Sequence, residues 1–337
     1  MLTQEIYLIF QPIYPTLETF WEIIKVWWWL PLPFIFFKWL KYHYEYFIQE
    51  NWDDKIKRIL IEVKIPKDVT KSIKAMEQVF AGFHGAVHSS PNWRERWIEG
   101  EFLLGLSLEI VSIEGKIHFY IRLPEVYRQQ IESIIYSQYP NAEISLVDDY
   151  TKFVPQDIPN KNWDIWGADF INTKDECYPI KTYQEFEVES EKNEEKKIDP
   201  LSIFLESLSS LGPDEQIWFQ VRIKPVLSKD NSWQKKGKEL VDKLAKRPEK
   251  PKLKPILEEA TEIMVSDSPS ATKESKNENF PPEMKLTPGE KEVITAVEKK
   301  LSKFGFDSFI RFIYVAKKDV FFKPKVKTIL SLSLIHI

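Results

Sequence analysis

The residues best placed to do chemistry lie on one short segment. His118, Tyr120 and Arg122 alternate with Ile117, Phe119, Ile121 and Leu123, so a strand here puts an imidazole, a phenol and a guanidinium on one face and an apolar set on the other. Such a face on the open side of a sheet could bind a polar ligand or a partner. The competing reading is a solvated sheet face or a contact with the next part of the chain. His84 and His88 stand four apart at the end of a helical pattern, a spacing that can chelate a metal. No third ligand accompanies them, and Gly85 weakens the helix between them. Lys235, Lys236, Lys238, Lys243, Lys246 and Arg247 could touch phosphate or anionic lipid, although a solvated helix face is the preferred reading.

Other chemistry is missing. Gly115-Lys116 and Gly237-Lys238 are followed by Ile117 and Glu239, and neither has the upstream glycine of a phosphate-binding loop. No nucleophile elbow, zinc-protease helix or dinucleotide fingerprint occurs. The single cysteine, Cys177, excludes an internal disulfide and a multi-cysteine zinc site. We therefore assign no catalytic residue, no cofactor and no metal, and expect no enzymatic activity from this chain by itself.

These residues need elements to position them. The 337 residues, 43% hydrophobic and 29% charged, suffice for two ordinary domains, while 14% aromatic content with 12 Trp is high. A net charge of -4 gives no chain-wide basic field, so DNA is expected only as an indirect partner. Part of the aromatic excess lies in Val26 to Phe37, VWWWLPLPFIFF, bounded by Lys25, Lys38 and Lys41. Residues 20–48, with Trp27, Trp28, Trp29, Pro31, Pro33, Phe34, Phe36 and Phe37 at their centre, read as a transmembrane helix kinked by its prolines. Residues 1–19 read as an amphipathic lead-in. Lysines concentrated after the tryptophans predict a single-pass protein of the inner (cytoplasmic) membrane, its N-terminus outside and its bulk in the reducing cytoplasm.

Residues 56–150 alternate in the order strand, helix, strand, strand, helix, strand, with Glu114-Gly115 as the hairpin turn. That is the ferredoxin-like βαββαβ arrangement. Residues 151–198 read as an irregular connector whose Trp163 and Trp166 are packing anchors. A second, incomplete ferredoxin-like α+β domain is expected over 199–247 and 287–325, opened by Asp199-Pro200 and resumed at the capping box Thr287-Pro288-Gly289-Glu290. Residues 248–286, dominated by Pro, Lys, Glu and Ser, read as a disordered insertion. The last six residues, LSLIHI (332–337), match one translation frame of a transposon-adapter end and are expected to be adapter-derived.

Several stretches together carry a resemblance: WWWLPLPF, IKAMEQVFAGFHGA, FYIRLPE, IYSQYP, DDYTKFVPQDIPNKNWD, PPEMKLTPGE and IRFIYVAKKDVFF. Over residues 20–325 the chain resembles the uncharacterised N-terminal region of type IV secretion coupling-type DNA-binding ATPases of small-genome, candidate-phyla bacteria. The resemblance implies a membrane-tethered assembly region ahead of a RecA-like motor whose Walker motifs lie beyond Phe322. It implies a homo-oligomer formed through that motor, and secretion-system proteins as partners. It brings no catalytic residue to carry over. The alternative is a stand-alone membrane-tethered scaffold. An uninterrupted gene that naturally ends in LSLIHI would contradict the adapter reading, and sequencing across the locus decides it.

Overall fold

The computed structural model describes residues 21–22, 25–66, 72–87, 90–180, 182–184, 201–226, 232–245, 247 and 286–327. The lead-in, His88, the charge run after Glu185, the insertion before Leu286 and the LSLIHI tail lie outside the described residues. The described chain divides into two compact units, one of residues 1–57 with 89–103 and one of 58–88 with 104–337.

The first unit is built on helix α1, Leu32–Asp53. Pro31 is its N-cap and Pro33 lies in its first turn, where a missing N–H breaks no hydrogen bond. The prolines therefore mark where this helix starts, after the turn at residues 28–31. Its second half packs on residues 95–102. Tyr44 donates to the Trp97 carbonyl at 3.1 Å, Arg96 pairs with Glu45 at 3.0 Å, and the Trp52 and Phe102 rings meet edge to face at 5.2 Å. A π-helical turn, Glu95–Glu99, is closed by Gly100 at φ 79°. Any side chain on Gly100 would drive into the Ile48 carbonyl, so this position needs glycine for both conformation and space.

The expected transmembrane helix is overturned: no helix among the described residues is long and apolar enough to cross a membrane. Because the prolines delay the start to Leu32, and Lys41, His43, Glu45, Glu50 and Asp53 occupy the remainder, the purely apolar part is short. Leu32 to Phe37, the run before Lys38, reaches roughly 9 Å at the helical rise of about 1.5 Å per residue, against a hydrocarbon core of about 30 Å. The single-pass topology with its N-terminus outside falls with the helix.

The second unit contains one antiparallel sheet of seven strands in the order β4-β1-β3-β2-β6-β7-β5. The strands are β1 Arg58–Lys64, β2 Leu106–Ile113, β3 Lys116–Pro124, β4 Glu143–Val147, β5 Trp163–Phe170, β6 Glu215–Pro225 and β7 Phe306–Lys317. Glu114 and Gly115, with φ 53° and 80°, make the two-residue turn between β2 and β3. The expected pair of separate ferredoxin-like domains is corrected here too. β2 and β6 pair along their length, from Leu106 opposite Ile223 to Ile113 opposite Gln216, and fuse both groups of strands into one mixed α/β structure.

Alternation gives this sheet two buried faces. On one, α2 (Lys74–Val87) and α3 (Arg128–Gln138) lay Val79, Phe83, Val87, Ile131 and Ile135 on Ile59, Ile61, Val63, Leu106, Ile121 and Leu123. Farther along the same face α4 (Ser202–Ser209) lays Phe204 and Leu208 on Ile217, Phe312 and Tyr314. Two further helices, α5 (Ser232–Leu244) and α6 (Pro288–Leu301), cross where Gly237 leaves no room beside Leu301. The capping box at Thr287 and Glu290 forms as the sequence reads.

Glu215 fastens the end of the described chain to this sheet. Only 2% exposed, it accepts hydrogen bonds from the Tyr314 hydroxyl at 2.7 Å, the Gly212 amide at 2.8 Å and the Lys325 ammonium at 2.7 Å. Burial raises its pKa, but these donors outweigh burial and hold it below the usual carboxylate range, while burial and then Glu215 push the Tyr314 hydroxyl up. Glu215→Ala leaves a buried phenol and an ammonium without their acceptor and should cost about 2–4 kcal/mol. Denaturant unfolding of Glu215→Ala beside Glu215→Gln, which keeps the acceptor oxygen and loses the charge, measures it.

Candidate functional site

The opposite sheet face carries a continuous polar ladder. Alternation on β1, β2, β3 and β6 sends Glu62, Glu109, His118, Tyr120, Arg122, Gln216, Trp218 and Gln220 to this side. The face is closed by residues 148–163. A 3-10 turn, Tyr150–Phe153, opens with Asp149 as its N-cap, whose carboxylate accepts from the Thr151 amide. Tyr150, Val154, Ile158 and Trp163 then pack on Leu60, Val111, Tyr120, Trp218 and Val315.

The ladder is held by carboxylates. His118 Nδ1 lies 2.6 Å from Glu62 Oε1, and Lys64 is 3.2 Å from the other oxygen. The His118 and Tyr120 rings stack at 5.5 Å, and Tyr120 stacks in turn on Tyr150 at 5.5 Å. The Tyr150 hydroxyl donates to Glu109 at 2.7 Å and accepts from Gln220 at 2.7 Å. Arg122 grips Asp149 with two parallel bonds of 2.6 and 3.0 Å and reaches Glu109 at 3.2 Å. Two-point guanidinium contacts of this kind are the strong ion pairs.

Electrostatics follow this geometry. The Arg122 hydrogen bonds hold Asp149 far below the usual carboxylate range, and the same bonds raise Arg122. Burial raises Glu62, yet the His118 and Lys64 hydrogen bonds bring it below its ordinary value. Burial, and next the Glu62 charge, push Tyr120 up to about 12. Burial and the Glu109 charge push Tyr150 higher still.

The structure thus brings His118, Tyr120 and Arg122 onto one face and gives each of them a partner. Tyr120 and Tyr150 are buried, Arg122 is engaged by two carboxylates, and the His118 and Arg122 side chains are each partly exposed, at 29% and 25%. The arrangement can hold charge and clasp the 148–163 segment to the sheet. Sequence reading missed Glu62, Glu109, Asp149 and Tyr150. Glu62 and Glu109 carried a signal, as acidic residues inside apolar strand patterns, whereas Asp149 and Tyr150 stand in a segment without periodicity.

Other candidates fall apart in space. His84 is buried, stacked on Phe304 at 4.7 Å and edge-on to Phe306. No group of three or more His, Cys, Asp or Glu residues among the described residues is placed to hold a metal. A cavity of about 420 Å³ beside His84 is lined by Gln234, Ser302, Lys303 and Gly305, but Lys303 is paired with Glu77. Trp163 and Trp166 pack on opposite sheet faces. Arg247 pairs with Asp242 at 3.2 Å, and Lys246 lies outside the described residues. By contrast, the tryptophan segment and the first half of α1 are open. Trp27, Trp28, Trp29, Phe34, Phe36 and Phe37 are all exposed, while Trp27 and Trp29 stack at 6.5 Å.

A family model described as a domain of unknown function, DUF8128, matches residues 47–330, and the chain belongs to that family. No curated protein and no solved structure matches it.

The clasp predicts acid sensitivity. Asp149 and Glu62 have folded pKa values below their unfolded ones, so their contribution is complete above about pH 5 and is lost as pH falls through the folded values. The denaturation midpoint should fall progressively as pH drops below about 5, with a smaller drop in Asp149→Asn. Tyr150→Phe, which leaves Glu109 and Gln220 short of a partner, should cost about 1–3 kcal/mol at neutral pH.

Proposed function

We propose that this DUF8128 chain is a non-catalytic assembly region of a type IV secretion-like DNA-translocating ATPase. The observation that carries the reading is the contrast between its two notable surfaces. The polar ladder is held by hydrogen bonds within the chain, while a run of Trp and Phe stands open. Exposed apolar patches of this size mark interaction sites, and large aromatics anchor most of the binding energy at protein surfaces. The resemblance of residues 20–325 to the region ahead of a coupling-type motor supplies the kind of machine. Nucleotide chemistry would then belong to the motor, with DNA and secretion-system proteins meeting this region only through the assembly.

Two measurements test the reading. The uninterrupted gene should encode a G-x-x-x-x-G-K-[ST] loop downstream in the same frame; a stop codon soon after Lys325 with no motor gene nearby removes the proposal and leaves a stand-alone scaffold. In the motor-bearing product, deleting residues 20–327 should abolish co-purification with secretion-system proteins while the motor still binds nucleotide and forms its oligomer. Unchanged co-purification argues against an assembly role.

A further inference from the structure

The open aromatic surface has a geometry that selects its partner. Phe34, Ile35, Phe36 and Phe37 are consecutive on α1 and are 71%, 60%, 60% and 66% exposed. Successive helical residues turn by about 100°, so these four side chains point around the whole circumference. A single folded partner, or one copy of the same helix, covers one side of such a helix and leaves the others in water. An apolar helix wetted on every side needs a surrounding medium.

Charge narrows the choice. From Lys25 to Tyr44 the chain contains Lys25, Lys38 and Lys41 and no aspartate or glutamate. Lys25 is paired to Glu22 at 2.7 Å at one end, and the Lys41 ammonium sits 4.8 Å over the Trp97 ring at the other. Within that span stand Trp27, Trp28, Trp29 and Trp39, with Tyr42 and Tyr44 following. Indole and phenol rings favour the boundary between lipid headgroups and acyl chains, where their polar edges stay wet. Lysine stems bury their methylenes while the ammonium stays at the headgroups.

We infer that Trp27 to Leu40 docks on an anionic lipid surface, entering the interfacial layer without crossing it. The roughly 9 Å of apolar helix from Leu32 to Phe37 is about a third of a hydrocarbon core, which suits shallow entry from one side. The partner is a negatively charged phospholipid headgroup layer, recognised by the three lysines and held by the tryptophans. This inference names the partner of the open surface on which the assembly reading rests, but its test does not involve a motor.

The test floats the full chain on vesicles of neutral phosphatidylcholine and on vesicles with about one-third phosphatidylglycerol. The chain should float with the anionic vesicles, and acyl-brominated lipid should quench its tryptophan emission. Trp27, Trp28 and Trp29 all changed to Ala should weaken the partition at least about tenfold. Lys38→Glu with Lys41→Glu should remove the anionic preference, each lysine being worth about fivefold near such a surface. These side chains are exposed, so the amide-exchange pattern of residues 58–327 should not change in either variant. Equal flotation on neutral vesicles overturns the anionic preference. Absence of flotation overturns the proposal, and a concentration-dependent oligomer that dissociates in the tryptophan variant reassigns the surface to further copies of the chain. Flotation without a motor gene would leave this inference standing and remove the assembly reading; a motor gene without flotation would do the reverse.

Discussion

The structure depends on the antiparallel seam between β2 and β6. Eight residue pairs, Leu106 with Ile223 through Ile113 with Gln216, turn two sets of strands into one sheet. A central strand satisfies its backbone on both edges. An antiparallel sheet can leave one face in water, but here both faces are covered. Helices cover one, with Val79, Phe83, Ile131 and Leu208 as their buried faces. The segment from Asp149 to Trp163 covers the other, with Tyr150 buried against Tyr120 and Trp218.

The second covering carries charge inward, which sets its chemistry. Glu62 and Glu109 are buried on this face and Glu215 on the other, where an unpaired carboxylate would be costly. Each has donors within 3.2 Å: His118 and Lys64 for Glu62, Tyr150 and Arg122 for Glu109, Tyr314, Gly212 and Lys325 for Glu215. The same pairing ties the segment to the sheet. Three of the five Arg122 N–H donors go to Asp149 and Glu109, and the phenols of Tyr120 and Tyr150 are held protonated by burial.

The open surface obeys the opposite logic. α1 spends its polar second half on residues 95–102 and leaves its apolar first half, with the tryptophans before it, exposed on all sides. Interaction capacity is concentrated where the fold has no use for the side chains.

Much was legible in the sequence because it is local. Alternation of Ile59, Ile61 and Val63, the Glu114-Gly115 turn, the Thr287 capping box and the shared face of His118, Tyr120 and Arg122 follow from periods of two and 3.6 residues and from turn chemistry. β5 was not legible, because each of its faces, Trp163, Ile165, Gly167 and Asp169 on one and Asp164, Trp166, Ala168 and Phe170 on the other, mixes apolar and acidic residues and so shows no apolar-polar alternation. The length of α1 was misread, because apolar content was counted across Pro31 and Pro33, which set where the helix begins. The partners of the ladder were hidden for another reason: Glu62 meets His118 across 56 positions and Arg122 meets Asp149 across 27. The sequence by itself determined which side chains share a face. Only the tertiary structure decided what faces them, because pairing across strands and the return of a distant segment are long-range choices that no local period records.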